Sequence, residues 1–197
     1  MTATEHDVKT RILLAAKKLF AAQGYDRTSI RQICEAADAN VALVSYHFGG
    51  KEQLFYSLFA TFLPNRLIQQ FSPEQMDPVA GLRYVIEGIT TLRLSDPQLI
   101  SIMQQEIALM SERVEVIREH AFPIWRKLRQ LLENGRNQGL FHFRSLDHTL
   151  LMVLGTVFIH KQKEYFAPLM TEGEASFEDV VEDTLHFILC GLGYVRK

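Results

Sequence analysis

Three kinds of feature are scarce in this chain of 197 residues, and each shortage excludes a class of protein. The sequence has two cysteines, Cys34 and Cys190, too few for a disulfide-rich secreted domain. The longest apolar run, Leu150 to Ile159, is shorter than the ~20 residues that cross a membrane. The amino terminus lacks the basic segment and the cleavage site of a signal peptide. We therefore expect a soluble, cytoplasmic protein with no membrane partner and two reduced, buried cysteines; a thiol switch at Cys34 is the alternative.

Motifs of common enzyme classes are also missing. The glycine pair Gly49-Gly50 precedes Lys51, but the spacing and the hydroxyl residue of a phosphate-binding loop are absent. The chain contains no Gly-x-Ser-x-Gly nucleophile motif and no His-Glu-x-x-His zinc motif. Two pairs of His and Glu occur at i, i+4 spacing, which in helices usually produces surface ion pairs. These absences predict a protein that is not an enzyme and that uses no metal ion or cofactor.

Charge is distributed unevenly along the chain. The net charge is −2, but residues 1–51 hold seven Lys and Arg against five Asp and Glu, whereas residues 52–197 hold fourteen against eighteen. The hydrophobic content of 47% is ample for a packed core. The mild basic excess of residues 1–51 is the distribution expected if the amino-terminal part contacts nucleic acid.

The most informative stretch covers residues 28–55 and reads TSIRQICEAADANVALVSYHFGGKEQLF. It predicts a short helix capped by Thr28 or Ser29, a tight turn, and a second short helix over residues 41–47 that ends at Gly49-Gly50. The apolar residues at helical spacing are expected to be buried: Ile30, Ile33 and Ala37 in the first helix, and Val41, Val44 and Phe48 in the second. Two short helices joined by such a turn are typical of a helix-turn-helix motif that reads the major groove of DNA.

Together with the preceding helix, this stretch resembles the amino-terminal domain of the TetR family of bacterial transcription regulators. The matching residues lie in three consecutive helices: Arg11-Ile12-Leu13, Ala16, Leu19-Phe20, Gly24-Tyr25, Thr28-Ser29-Ile30-Arg31, Tyr46-His47-Phe48 and Lys51-Glu52-Gln53-Leu54. The chain departs from the family pattern at Asp38 and Ala42, where glycine is frequent, and at Ser45, where tyrosine is common. The resemblance implies an all-α fold, with a three-helix DNA-binding domain at residues 1–51 and a larger helical regulatory and dimerisation domain at residues 52–197.

The helical pattern and the resemblance together assign roles to the polar residues of the motif. The expected DNA-binding residues are Thr28, Arg31, Asn40, Ala42, Leu43, Ser45, Tyr46, His47 and Lys51. Asn40 is expected to bind a base edge or to cap its helix, and Leu43 to contact a thymine methyl. Tyr46, His47 and Lys51 are expected to reach phosphates, although His47 could instead stack within the domain. For Thr28, phosphate contact and simple helix capping are both open.

Proline and aspartate mark the remaining helix boundaries. The pattern predicts helices over residues 7–23, 51–70, with a bend near Pro64, and 79–95, and a linker at 71–78. From Asp96-Pro97 a helix or a pair of helices is expected to extend through Met103, Ile107 and Met110 towards His120. Pro123 is expected to begin a new helix or to kink the old one, and the inward stripe of Trp125, Leu128, Leu131 and Leu132 to end near Gly139.

The last two long helices are predicted over residues 147–166 and 178–192, the second with a capping box at Ser176. Both are apolar over more than one face, so one face is expected to pack on the core and the other on a second copy of the chain. The expected dimer interface consists of Leu150, Leu154, Phe158, Val181, Leu185, Phe187 and Ile188. The alternative is a monomer in which both helices are simply central.

The family resemblance places a ligand site among the middle helices, roughly residues 79–166. Candidate lining residues are Met103, Gln104, Met110, Trp125, Phe158 and His160, with Glu106 and Met152 as further members. The alternative is that these side chains are only core. Because the set holds few charges, a mainly apolar ligand is expected.

These observations predict a homodimeric repressor that binds a palindromic double-stranded operator and is released by a small molecule. Two other functions stay open on the sequence. One is a DNA-binding regulator without a small-molecule effector, either controlled by a protein partner or constitutive. The other is a helical enzyme or carrier that only resembles a DNA reader.

Overall fold

The computed structural model describes residues 3–63 and 72–194, and within these ranges all regular structure is helical, as predicted. The α-helices are α1 (Ala3–Gln23), α2 (Ile30–Ala36), α3 (Val41–Phe48), α4 (Lys51–Phe62), α5 (Pro78–Ser95), α6 (Pro97–Leu109), α7 (Val114–Asn137), α8 (Leu146–Phe158), α9 (Lys163–Phe166) and α10 (Phe177–Gly191). Short 3₁₀ helices at Ile159–Gln162 and Ala167–Leu169 flank α9. None of the described helices is both long and apolar enough to span a membrane.

The chain divides into two compact units. Unit 1 contains the described residues of Met1–Pro64 together with Asp96–Phe122, and unit 2 contains those of Asn65–Ser95 together with Pro123–Lys197. Unit 1 thus includes α4 and α6 in addition to the helix-turn-helix. The functional division predicted at residue 51 stays a prediction.

Local capping determines where several helices begin, as the sequence predicts. Ser29, and not Thr28, caps α2, and its capping box is completed by Gln32. The Asp77 carboxylate accepts hydrogen bonds from the backbone amides of residues 79 and 80 at 3.0 Å. Asp96 caps α6 just before its first-turn proline. Ser176 and Asp179 form the predicted capping box of α10. Each of these side chains satisfies backbone donors that have no partner inside the helix.

The segment after Asp96 forms a pair of helices, one of the two predicted arrangements, whereas the helix predicted over residues 147–166 ends early. α6 ends at Leu109, where Met110 adopts a left-handed conformation with φ of 47°, and both Ile107 and Met110 are exposed. α8 ends at Phe158 and not near 166, and the following residues form only short helical turns. Pro123 lies inside the continuous helix α7. The predicted continuation of α4 beyond residue 63, with its bend near Pro64, and the first linker residue, Phe71, lie outside the described residues.

The core of unit 2 is built from the inward stripes of α5, α7, α8 and α10. Its buried members include Leu82, Ile86 and Ile89 of α5, Leu128, Leu131 and Leu132 of α7, Val153 and Val157 of α8, and Val181, Leu185 and Ile188 of α10. The stripe predicted for α7 is therefore largely correct, with Trp125 half-buried at its edge. The α10 residues in this core were predicted at the dimer interface, and their burial within the subunit makes that part of the prediction wrong.

The two cysteines differ in environment. Cys34 is buried on α2, and burial raises the pKa of its thiol, which keeps it protonated and unreactive. Cys190 is exposed on α10, contrary to the expectation that both are buried.

Candidate nucleic-acid interface

The helix-turn-helix rests on a compact apolar core in unit 1. The buried members are Ile12, Ala16 and Phe20 of α1, Ile33 and Ala37 around α2, Val44 and Phe48 of α3, and Leu54, Phe55 and Leu58 of α4. Helix α3 has eight residues, too few to be stable alone, so its position depends on this packing. Val44 and Phe48 hold one side of α3 in the core and leave the opposite side at the surface.

Both ends of α3 are determined by local residues. The Asn40 side chain accepts a hydrogen bond from the backbone amide of Ala42 at 2.9 Å, so Asn40 is the N-cap. Gly49 ends the helix in a left-handed conformation with φ of 76°, which glycine adopts without a steric penalty. Asp38, in the turn before the helix, also has a positive φ of 47°. The Arg11 guanidinium donates to the carbonyls of Ala37 and Asp38, both at 3.1 Å, and stabilises this turn from α1.

The free side of α3 carries the predicted reading residues. Ala42, Ser45 and Tyr46 are exposed, whereas Leu43 and His47 are half-buried. Tyr46 is the most prominent, with 75% of its surface exposed, and its ring meets His47 edge-on at 4.9 Å between centroids. Exposed Arg31 lies on α2. The surface formed by these residues and Asn40 is called the reading face below.

Val41, between Asn40 and Ala42 of the reading face, is also exposed, although the sequence pattern predicts it to be buried. Its exposed fraction is 45%, because it is the first residue of α3 and the core that covers Val44 does not extend over this first turn. Helical spacing puts Val41 on the same side as Val44, but spacing alone cannot tell how far along the helix the covering layer reaches. The prediction of a buried Val41 is wrong.

Thr28 and Lys51 have internal partners in the structure. Thr28 is 1% exposed; its hydroxyl donates to the carbonyl of Gly24 at 2.8 Å and accepts from the Gln23 amide at 3.1 Å. The Lys51 ammonium donates to the carbonyl of Tyr25 at 2.6 Å, and its burial lowers the pKa of the ammonium. A phosphate contact by either side chain would have to replace these interactions. The DNA contacts of both residues stay predictions.

Two cationic side chains lie against the aromatic ring of Tyr25. The Lys51 ammonium lies 3.9 Å from the ring centroid and the Arg113 guanidinium 4.0 Å from it. Arg113 also donates to the Glu106 carboxylate at 3.0 Å and to Asp26 at 3.3 Å. Glu106 is almost fully buried, so this pair neutralises a carboxylate inside unit 1. Sequence reasoning assigned Glu106 to the ligand pocket and gave Arg113 no role. The contacts of Arg113 with Asp26 and Tyr25 join residues distant in the chain, which sequence spacing does not reveal.

The predicted pocket residues fall into both units. Met103, Gln104 and Met110 belong to unit 1, where Met103 is buried and Met110 is exposed at the end of α6. Trp125, Phe158 and His160 belong to unit 2. The rings of Trp125 and Phe158 meet edge-on at 5.6 Å between centroids, and His160 Nε2 lies 3.3 Å from the Thr184 hydroxyl. An exposed Met110 does not line a buried site, whereas the three residues of unit 2 stay candidates.

Helix α3 is short and capped, is anchored on one side, and displays mixed polar and apolar side chains on the other. This arrangement, after α2 and a tight turn, is that of a helix-turn-helix DNA-binding protein. Comparison with known proteins agrees. The family model described as bacterial regulatory proteins, tetR family, matches residues 12–58. The chain is 31% identical over 140 residues to the HTH-type transcriptional regulator YxaF of Bacillus subtilis, with 66% of this chain and 72% of YxaF covered.

Two further similarities extend over nearly the whole chain. It is 25% identical over 191 residues to the HTH-type transcriptional repressor NicS of Pseudomonas putida, covering 91% of this chain and 88% of NicS. The crystal structure of HlyIIR, a haemolysin II transcriptional regulator, matches with a TM-score of 0.75 and 30% identity, covering 95% of this chain and 98% of HlyIIR. The chain belongs to the TetR family of transcriptional regulators. It is a DNA-binding regulator and not an enzyme, as the sequence predicts.

The first prediction concerns the ion pair between Arg113 and buried Glu106. Arg113→Ala should lower the free energy of unfolding by about 2–4 kcal/mol, somewhat less than a fully buried pair because the guanidinium is partly solvated. The loss arises because Glu106 would be left buried without its cation. Urea unfolding measures the change, and the control is Arg118→Ala, which removes only an exposed ion pair with Glu115 on the same helix and should cost at most about 0.5 kcal/mol. Equal losses in the two variants would contradict the assignment.

The second prediction separates base contacts from backbone contacts. Asn40→Ser and Leu43→Ala should change the preferred DNA sequence, and serine is chosen because it keeps the N-cap. Tyr46→Phe should weaken binding to all sequences alike, by about fivefold, because it removes a single hydrogen bond to a phosphate. Footprinting and selection of bound sequences, beginning with the DNA upstream of the protein's own gene, measure both effects. A uniform loss of affinity in all three variants would refute the division of roles.

Proposed function

We propose that the protein is a homodimeric repressor that binds a palindromic DNA operator and leaves it when a small, mainly apolar ligand binds. The observation that carries the proposal is the reading face of α3. The helix is held by its caps and by buried Val44 and Phe48, and Tyr46 is 75% exposed. One copy of such a short helix contacts only a few base pairs, so a second copy about one duplex turn away, ~34–36 Å, supplies the rest of the affinity. The similarity to the repressor NicS supports repression as the sign of control.

The proposed dimer interface is an apolar face of α8 and α10 that unit 2 leaves uncovered. Leu151 and Met152 of α8 and Phe187 of α10 are about two-thirds exposed. Single exposed apolar residues are ordinary, but three large ones on two helices of the same unit favour a partner surface. Gly155 supports this reading, since a glycine in the interior of a helix is unfavourable and, apart from its chain neighbours and the nearby backbone of its own helix, no atom of the described residues comes within 4 Å of a Cβ placed there. Close approach by a second backbone would explain that glycine.

Of the residues first expected at the interface, four fit this face. Phe187 lies on it, and the half-buried Leu150, Leu154 and Phe158 can contribute at its edge. The core residues of α10 cannot contribute, because they are already covered within the subunit. We propose an interface centred on Leu151, Met152 and Phe187.

The third prediction tests this interface. Leu151→Glu and Phe187→Glu should each convert the dimer to a monomer in sedimentation at micromolar concentration, because a charge without a partner in an apolar interface costs several kcal/mol. Both variants should keep the helical circular dichroism of the wild type, since these positions are exposed in the single chain. Operator affinity should fall together with dimerisation.

The matched control is Leu109→Glu, which places the same charge at an equally exposed leucine of unit 1. This variant should remain a dimer. A wild type that sediments as a monomer would refute the proposed assembly, and dimers in both interface variants would place the interface elsewhere.

A small ligand controls the operator affinity in this proposal. The aromatic pair of Trp125 and Phe158 at the edge of the unit 2 core supplies a surface that an apolar ligand can contact. The ligand need favour the form that does not bind DNA by only a few kcal/mol to empty the operator. No wholesale unfolding is required.

The fourth prediction concerns the ligand. A library of apolar and aromatic compounds should include some that quench Trp125 fluorescence, raise the melting temperature and release operator DNA in a fluorescence anisotropy assay. The single tryptophan makes the optical signal specific for this position. Phe158→Ala should weaken binding of those compounds, whereas Phe122→Ala, at an exposed ring, should not. A library without any compound that binds would favour a regulator that acts without a small-molecule effector.

A further inference from the structure

Polar side chains occupy core-facing positions of unit 2 where apolar ones would be expected. On α5, Leu82, Ile86 and Ile89 are buried, and Arg93 comes at the next position of the same stripe. The spacing i, i+4, i+7, i+11 keeps these four residues on one side of the helix. Thr90, one turn after Ile86, is 4% exposed on the same side of the helix. The carboxyl-terminal end of the α5 stripe is therefore polar.

The Arg93 side chain is half-buried. Among the residues that the structure describes, no carboxylate forms an ion pair with it. Burial lowers the pKa of Arg93, and no neighbouring charge opposes that effect. A cation withdrawn from water without a partner is costly, so its retention at this position calls for a reason.

His160 and Thr184 add further polar groups to unit 2. Helix α10 packs against α5, and its residue Thr184 is buried on the inward stripe between Val181 and Ile188. The Thr184 hydroxyl lies 3.3 Å from His160 Nε2. Burial, and secondarily the charge of Arg93, lower the pKa of His160, so the imidazole is neutral near pH 7 and Arg93 is the cation of this group. The aromatic pair of Trp125 and Phe158 lies in the same unit.

We infer that unit 2 holds a site for a small organic acid, in which Arg93 pairs with the carboxylate and Thr184 and His160 provide further hydrogen bonds. A planar guanidinium matches a carboxylate through two parallel hydrogen bonds, and its single charge balances a monoanion. A few placed polar groups within an apolar lining are the usual composition of a small-molecule site. The inference rests on the proposed effector function and refines its ligand from mainly apolar to an apolar body with one acid group.

The test measures binding of matched acids and amides to the full-length protein. Benzoate and octanoate are compared with benzamide and octanamide, which have nearly the same shape without the charge. Trp125 fluorescence and melting temperature report binding, and operator release is measured separately. At least one acid should bind the wild type about tenfold or more tightly than its amide, as expected for a hydrogen bond to a charged group.

Variants of Arg93 assign the effect to this side chain. Arg93→Met should weaken the acid by about 10- to 100-fold and leave the amide unchanged, whereas Arg93→Lys should keep part of the preference. Arg93→Gln is the second neutral variant if methionine impairs folding. The control is Arg83→Met on the same helix, which removes an exposed ion pair with Glu182 and should leave acid binding unchanged.

Each outcome bears on a different statement. Equal binding of acid and amide, an acid preference that survives in Arg93→Met and Arg93→Gln, or no binding of either acid would overturn the acid site. Neutral compounds that bind and release DNA would in that case leave the effector function standing. Acids that bind through Arg93 but never release the operator would support the site and refute the effector function.

Discussion

The contacts around Tyr25 hold the DNA-binding part of the chain together. The ring contacts the cationic groups of Lys51 and Arg113. It also contacts the rings of Phe20 and Phe55, each at 5.3 Å between centroids. Through these contacts the end of α1, the start of α4 and the segment after α6 meet at one residue. Arg113 can take this place because the carboxylates of buried Glu106 and exposed Asp26 balance its charge. The position of the reading face follows, since α3 is too short to hold its own geometry.

The reading face combines two requirements that compete for the same eight residues of α3. Anchoring requires apolar side chains on one side, which Val44 and Phe48 supply, and recognition requires free side chains on the other. The caps make both possible. Asn40 and Gly49 satisfy the backbone groups at the two ends of α3, so the side chains between them remain available for anchoring and recognition. In the proposed function, exposed Val41 and Tyr46 are not defects of packing, because a surface that meets thymine methyls in the major groove and phosphates on the backbone needs such side chains.

Unit 2 shows how regulation could be built into a core. Most of its inward positions are apolar and stabilise the fold, whereas Thr184 is buried among them and the half-buried Arg93 continues the α5 stripe at its end. Such substitutions lower the stability of a core unless something compensates them. In the proposed function the ligand provides that compensation. Because it binds the form that does not bind DNA more tightly, its binding free energy shifts the protein away from its DNA-binding form.

The sequence by itself determined the all-helical class, the helix-turn-helix and most helix boundaries, because these depend on short-range chemistry. Ser29, Asn40, Asp96 and Ser176 bond to backbone amides two or three residues away, so their effect can be read locally. Only the tertiary structure decided which apolar side of α10 faces the core, since two sides of that helix are apolar and spacing cannot choose between them. It also decided that Lys51 folds onto Tyr25 and that Arg93 forms no ion pair with a carboxylate of the described residues. Those outcomes depend on residues distant in the chain, whose proximity arises only from packing.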